Sequence, residues 1–62
     1  MFLFSANGPR SIPDERIIFV TREYAPGRYQ PCTLLCDDGK EVSGLALKAA
    51  LDRLEARLAA VA

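Results

Sequence analysis

The chain contains no histidine. That removes the side chain most often used as a general base near neutral pH. Ser5, Ser11 and Ser43 have no identifiable base beside them. The paired carboxylates, Asp14-Glu15 and Asp37-Asp38, are sequence neighbours at expected turns, where solvation is their ordinary state. There is no glycine-rich phosphate loop. Met1 is followed by Phe2, so no N-terminal proline stands ready as a base. The expectation is a protein that is not an enzyme.

Cysteine is almost as scarce, with two in 62 residues. A four-ligand zinc site would have to draw half its ligands from carboxylates, which is unusual for a structural site. On a strand, Cys32 and Cys36 lie about 13 Å apart, beyond the ~7 Å between Cα atoms that a disulfide spans. Both are expected as reduced thiols packed like small hydrophobes, with no metal and no cofactor.

Charge of one sign is missing too, since eight Lys and Arg balance eight Asp and Glu. Residues 1–36 carry four arginines against Asp14, Glu15 and Glu23, and residues 37–62 carry four basic residues against five acidic ones. Neither half has the field of a dedicated nucleic-acid binder. Long apolar runs are absent, and no window approaches the ~20 residues of a membrane span. The opening MFLFSANG is too short for a signal peptide and lacks a basic leader. A cytoplasmic location is expected, where thiols stay reduced. Internal repeats are absent as well.

What the chain does have is one long periodic segment, Ser43 to Val61. Leu47, Leu51, Leu54, Leu58 and Val61 recur at spacings of four and three, which puts them on one stripe of an α-helix. Most of the remainder is alanine, the best helix former.

Upstream, Arg16–Tyr24 is rich in β-branched and aromatic residues and ends at Ala25-Pro26-Gly27, so it is expected as a strand. Cys32–Cys36 is a second strand. Asp38-Gly39 suits a two-residue hairpin turn, with a short third strand over Lys40–Ser43. That turn sets Leu35 opposite Val42 and Cys36 opposite Glu41. A four-residue loop over Ala25–Arg28 pairs Tyr24 with Tyr29, Val20 with Thr33, Ile18 with Leu35 and Arg16 with Asp37. Phe2–Phe4 is a candidate fourth strand at an edge, and Asn7–Glu15, with two prolines and a glycine, is expected as a plain connector. Pro31 is acceptable only beside an open edge. The expected fold is thus a single α+β domain over residues 1–62, an antiparallel meander with one amphipathic helix packed on it.

Both faces of the hairpin are apolar, with Ile17, Phe19, Cys32 and Leu34 on one and Ile18, Val20, Leu35 and Val42 on the other. A sheet with one solvated face alternates more cleanly, and a single helix covers only one. A chain this short is marginal alone, so a homodimer is expected. Its interface is assigned to the helix end at Leu54, Leu58 and Val61, with the outer sheet face as the other candidate. At the hairpin tip, Arg22, Tyr24, Arg28 and Tyr29 form a cluster of types enriched at protein-binding hot spots. The functional expectation is a small cytosolic module that binds another protein as an inhibitor, adaptor or regulator. The alternative is nucleic-acid binding, with the same arginines on phosphates and the tyrosines stacked on bases.

Overall fold

The strand β4 (Tyr29–Cys36) shows most plainly how the sequence is laid out. Gln30, Cys32, Leu34 and Cys36 are buried, while Tyr29, Pro31, Thr33 and Leu35 are not. That two-residue alternation is the pleat, with one face turned to a core. The computed structural model describes residues 1–61, except for the side chain of Val61. It contains β1 (Phe2–Ser5), β2 (Gly8–Ser11), a 3₁₀ turn (Asp14–Arg16), β3 (Ile17–Arg22), β4, β5 (Glu41–Leu47) and α1 (Lys48–Val61). The five strands form one antiparallel sheet in the order β2-β1-β5-β4-β3, and α1 lies across one face of it. The α+β class expected from the sequence holds, with five strands where three or four were expected.

The turn between β4 and β5 is one residue longer than a two-residue hairpin. The Gly39 N–H donates to the Cys36 carbonyl at 3.0 Å and the Cys36 N–H to the Lys40 carbonyl at 2.9 Å. Gly39 has φ +85°, a left-handed conformation that glycine adopts without steric cost. This is a three-residue loop closed by a glycine bulge. It places Leu34 opposite Val42 and Leu35 opposite Glu41, one step from the expected pairs.

The β3–β4 register divides at Ile18. Ile17 faces Cys36, and the Arg16 carbonyl accepts from the Asp37 N–H at 2.8 Å, as expected from the sequence. Beyond a bulge between Ile17 and Phe19, Phe19 faces Leu35, Val20 faces Leu34 and Arg22 faces Cys32. The extra residue turns the later side chains to the opposite face. Ile17 and Val20 therefore share the inner face, while Phe19 is turned outward.

Pro31 occupies a central strand. Its carbonyl accepts from the Glu23 N–H at 2.9 Å. The N–H that proline lacks would point the same way, toward the Glu23 carbonyl, so the missing bond falls where the β3–β4 ladder ends and not between two continuing strands.

Two expectations about segment ends are corrected. Residues 43–47 belong to β5, paired with β4 from Tyr29–Leu47 to Leu35–Glu41, and the helix starts only at Lys48. Leu47 prolongs the leucine spacing but sits in the sheet. The segment expected as a connector forms β2, which pairs with β1 from Phe2–Ser11 to Ser5–Gly8. Pro9 is tolerated because β2 is an edge. β1 is therefore an interior strand, flanked by β2 and β5.

The core between sheet and helix is formed by buried Leu3, Ile12, Ile17, Leu34 and Ala46 with Leu51 and Leu54 of α1. Cys32 and Cys36 are buried in it as free thiols. Among the described residues, no helix is long and apolar enough to cross a membrane.

Candidate functional site

The hairpin-tip cluster does not form as one surface. Arg22 follows Val20 on the inner face, and its side chain is only 3% exposed. The guanidinium lies 2.8 Å from Asp52 and 3.1 Å from Glu55 on α1, with Tyr24 stacked at 4.3 Å from its centre to the ring centroid. Burial by itself would ease the proton off, but the bonds to Asp52 and Tyr24 outweigh it and hold the group above its ordinary range. Arg22 thus ties the helix to the sheet and is withdrawn from any external phosphate. Its Nε has no hydrogen-bond partner among the described residues, and neither does Oε1 of buried Gln30.

Tyr24 is 72% exposed over Arg22, while Tyr29 is 44% exposed on the other side of the sheet. There Tyr29 meets Phe4 edge to face, ring centroids 5.5 Å apart. Arg28 is exposed in the loop, and its carbonyl accepts from the Lys48 N–H at 2.7 Å. Tyr24 and Arg28 therefore remain at the tip, and Arg22 and Tyr29 belong to different faces.

The helix end is also placed differently from the expectation. Leu54 is 2% exposed inside the monomer's own core, and Leu58 packs partly buried against that core. A side chain consumed by its own sheet leaves little surface for a partner, so Leu54 is placed in the core of one copy. The Val61 side chain lies outside the described residues.

The Arg22–Asp52 contact makes stability pH-dependent. Asp52 accepts from Arg22 and from Lys48, at 2.8 and 3.2 Å. These bonds hold its carboxyl below the usual range. A lowered folded value stabilises the protein above the unfolded value of about 4, and that stabilisation is lost as pH falls through the folded value. Asp52→Asn is therefore expected to flatten the acid limb of a melting-temperature profile taken downward from neutral pH. An unchanged acid limb would refute the ion pair.

Burial pushes the Cys32 thiol up, with Arg22 pulling in the other direction. The thiol stays protonated and unreactive at neutral pH. Among the described residues, no three His, Cys, Asp or Glu side chains gather as a metal site.

What remains exposed and continuous is the sheet face away from the helix. Its side chains lie in cross-strand rows: Phe19, Leu35 and Glu41; Thr21, Thr33 and Ser43; Pro31, Leu45 and Phe4; Tyr29 and Leu47. Phe2 stands edge-on to Phe4 at 5.0 Å. Phe2, Phe4, Phe19, Tyr29, Leu45 and Leu47 are each 42–60% exposed. The middle row is tied by a 2.9 Å hydrogen bond between the Thr33 and Ser43 hydroxyls. Apolar residues on both faces of the hairpin already signal such a surface in the sequence. The contribution of Phe2 and Phe4 depends on β1 joining the sheet.

No family model matches this chain, and neither a curated protein nor a solved structure matches it.

Proposed function

We propose that this chain is a small non-enzymatic interaction module that binds protein through the outer face of its sheet, as an adaptor, inhibitor or regulator. The observation that supports the reading is the continuous apolar surface of Phe2, Phe4, Tyr29, Leu45 and Leu47 on the side without a helix. At about 25 cal/mol per Å², covering the roughly 600 Å² that these five and Phe19 expose would release on the order of 15 kcal/mol before the costs of association. An apolar patch at the upper end of the roughly 300–600 Å² found on monomers is often functional. A cytoplasmic setting accompanies the reading, because the two cysteines are buried free thiols.

The test is a tagged pull-down from source cells, comparing the parent with Leu45→Arg. The reading expects a protein, a further copy of this chain included, captured by the parent and lost with the variant. The same proteins captured by both would count against it.

Nucleic-acid binding is the less favoured alternative, since Arg22 is engaged by Asp52 and Glu55. Gel shifts with duplex and single-stranded probes near physiological salt are expected to show no retardation. Tight binding that weakens steeply with salt, the mark of phosphate contacts, and that is lost on Arg28→Ala would reverse this choice.

A further inference from the structure

We infer that the occupant of the outer sheet face is a second copy of this chain, the two packed sheet on sheet about a two-fold axis. The inference rests on the proposed binding role of that face and names the partner.

Three observations lead there. The first is area. Taking about 150–250 Å² for an aromatic side chain, the six exposed apolar residues leave roughly 600 Å² per copy. Two copies then cover about 1,200 Å², the lower bound of a specific, stable interface. The area per copy is also the upper end of the roughly 300–600 Å² that the largest apolar patch of a typical monomer reaches, and patches of that size are often functional.

The second is charge. The rows Thr21–Thr33–Ser43 and Tyr29–Leu47 contain no charged residue, and the row between them meets a charge at its outer end, where Glu23 stands opposite Pro31. Glu41 stands at the start of β5 and Glu23 on the edge strand, while Asp14 and Arg53 border Phe2, Phe4, Tyr29 and Leu47 at the other end, so the charges sit at the margin of the face. Identical surfaces meeting face to face bring like charges together, so a centre free of charge is what self-association requires. A polar rim around an apolar centre is also the ordinary anatomy of an interface.

The third is the layering of the fold. The helix covers the inner face, and its leucines are spent there, with Leu51 at 0% and Leu54 at 2% exposure. Ala50 and Arg53 of α1 reach one end of the outer face, beside Tyr29 and Leu47, and the rest of that face stays exposed. Sheet-on-sheet packing is a standard way to complete such a layer, and a two-fold pairing is the commonest symmetric solution.

Light scattering of the parent at micromolar concentration should give twice the mass of one chain. Its melting temperature should rise with protein concentration, because association and folding are linked. Leu45→Arg, at the centre of the face, should halve the mass while the helical circular-dichroism signal persists. Ala56→Arg, on the exposed side of the helix, should leave the dimer intact. If Leu45→Arg unfolds, Thr33→Arg in the hydroxyl row serves the same purpose, and the concentration dependence of the parent needs no variant.

A dimer that survives both outer-face substitutions would overturn the inference. So would a monomeric parent, and a hydrophobic dye then separates the two levels of argument. Dye bound by the monomer and lost on Leu45→Arg would leave the face as a site for a different protein. A monomer that binds no dye would overturn the proposed role of the face as well.

Discussion

Truncating Ile17 to alanine is expected to unfold much of the protein, whereas truncating its neighbour Ile18 leaves it folded. Ile17 is 2% exposed in the core and Ile18 is 55% exposed at the bulge. Removing buried Ile methylene and methyl groups costs about 2–5 kcal/mol, a sum of lost transfer energy and residual cavity. A chain of this length has only about 3–9 kcal/mol to lose, at roughly 0.05–0.15 kcal/mol per residue. The Ile18 change removes surface that is already half in water and should stay within about 1 kcal/mol. Urea unfolding of both variants by circular dichroism measures the difference. Equal losses at the two positions would mean that the bulge lies elsewhere and that the faces are assigned wrongly.

Gly44→Ala is the second large effect. A Cβ built on Gly44 stands 2.3 Å from the Phe4 carbonyl oxygen and 2.9 Å from its carbon. Real Cβ atoms do not approach so closely, and the obstacle is backbone, so no rotamer change relieves it. β1 must move away from β5. The ladder between them is short, with Phe4 opposite Leu45 as its one registered pair. Leu3, which is fully buried, would lose its place in the core together with β2. The expected cost is about 3 kcal/mol or more, at or beyond the upper end of overpacking penalties. Hydrogen exchange should show protection lost across β1 and β2 before the β3–β4–β5 hairpins. Unchanged protection there, with an unchanged urea midpoint, would show that β1 does not cross Gly44 this closely.

Gly44 also shows why the sequence alone misjudges the third strand. Glycine and alanine at 44 and 46 look neutral, and Leu47 continues the leucine spacing of the helix. The local pattern therefore extends the helix back to Ser43. What keeps residues 43–47 extended is pairing with β4 on one side and the close passage of β1 on the other. Both are contacts distant in sequence, and they override a weak local preference. The same holds for β2, whose Gly-Pro-Arg-Ser has no strand propensity of its own and is ordered by its ladder with β1.

The tip residues divide between two faces for a related reason. Arg22 and Tyr29 are close along a hairpin, and as residue types they suit an external ligand. A one-residue bulge at Ile18 decides which way Arg22 points. Once it is turned inward, its charge must be paired, since burying it alone is costly. Asp52 and Glu55 lie one turn apart on the helix and meet it there. The carboxylate spacing on the helix is visible in the sequence, but its registry with Arg22 is not.

Properties that depend on period and composition were determined by the sequence alone. These are the α+β class, the strands read over Arg16–Tyr24 and Cys32–Cys36, the leucine face of the helix and the excess of apolar surface over what one helix covers. Each is local, set by side-chain size, branching and spacing within a few residues. Tertiary structure alone decided the five-strand order, the bulge that splits Ile17 from Ile18, the inward turn of Arg22 and the placement of Phe2, Phe4, Tyr29, Leu45 and Leu47 on one open face. These depend on register, and a shift of one residue, which leaves the composition untouched, exchanges the two faces of a strand. Only the packing of the whole chain, in which Ile17 and Leu34 must meet Leu51 and Leu54, selects one register over the next.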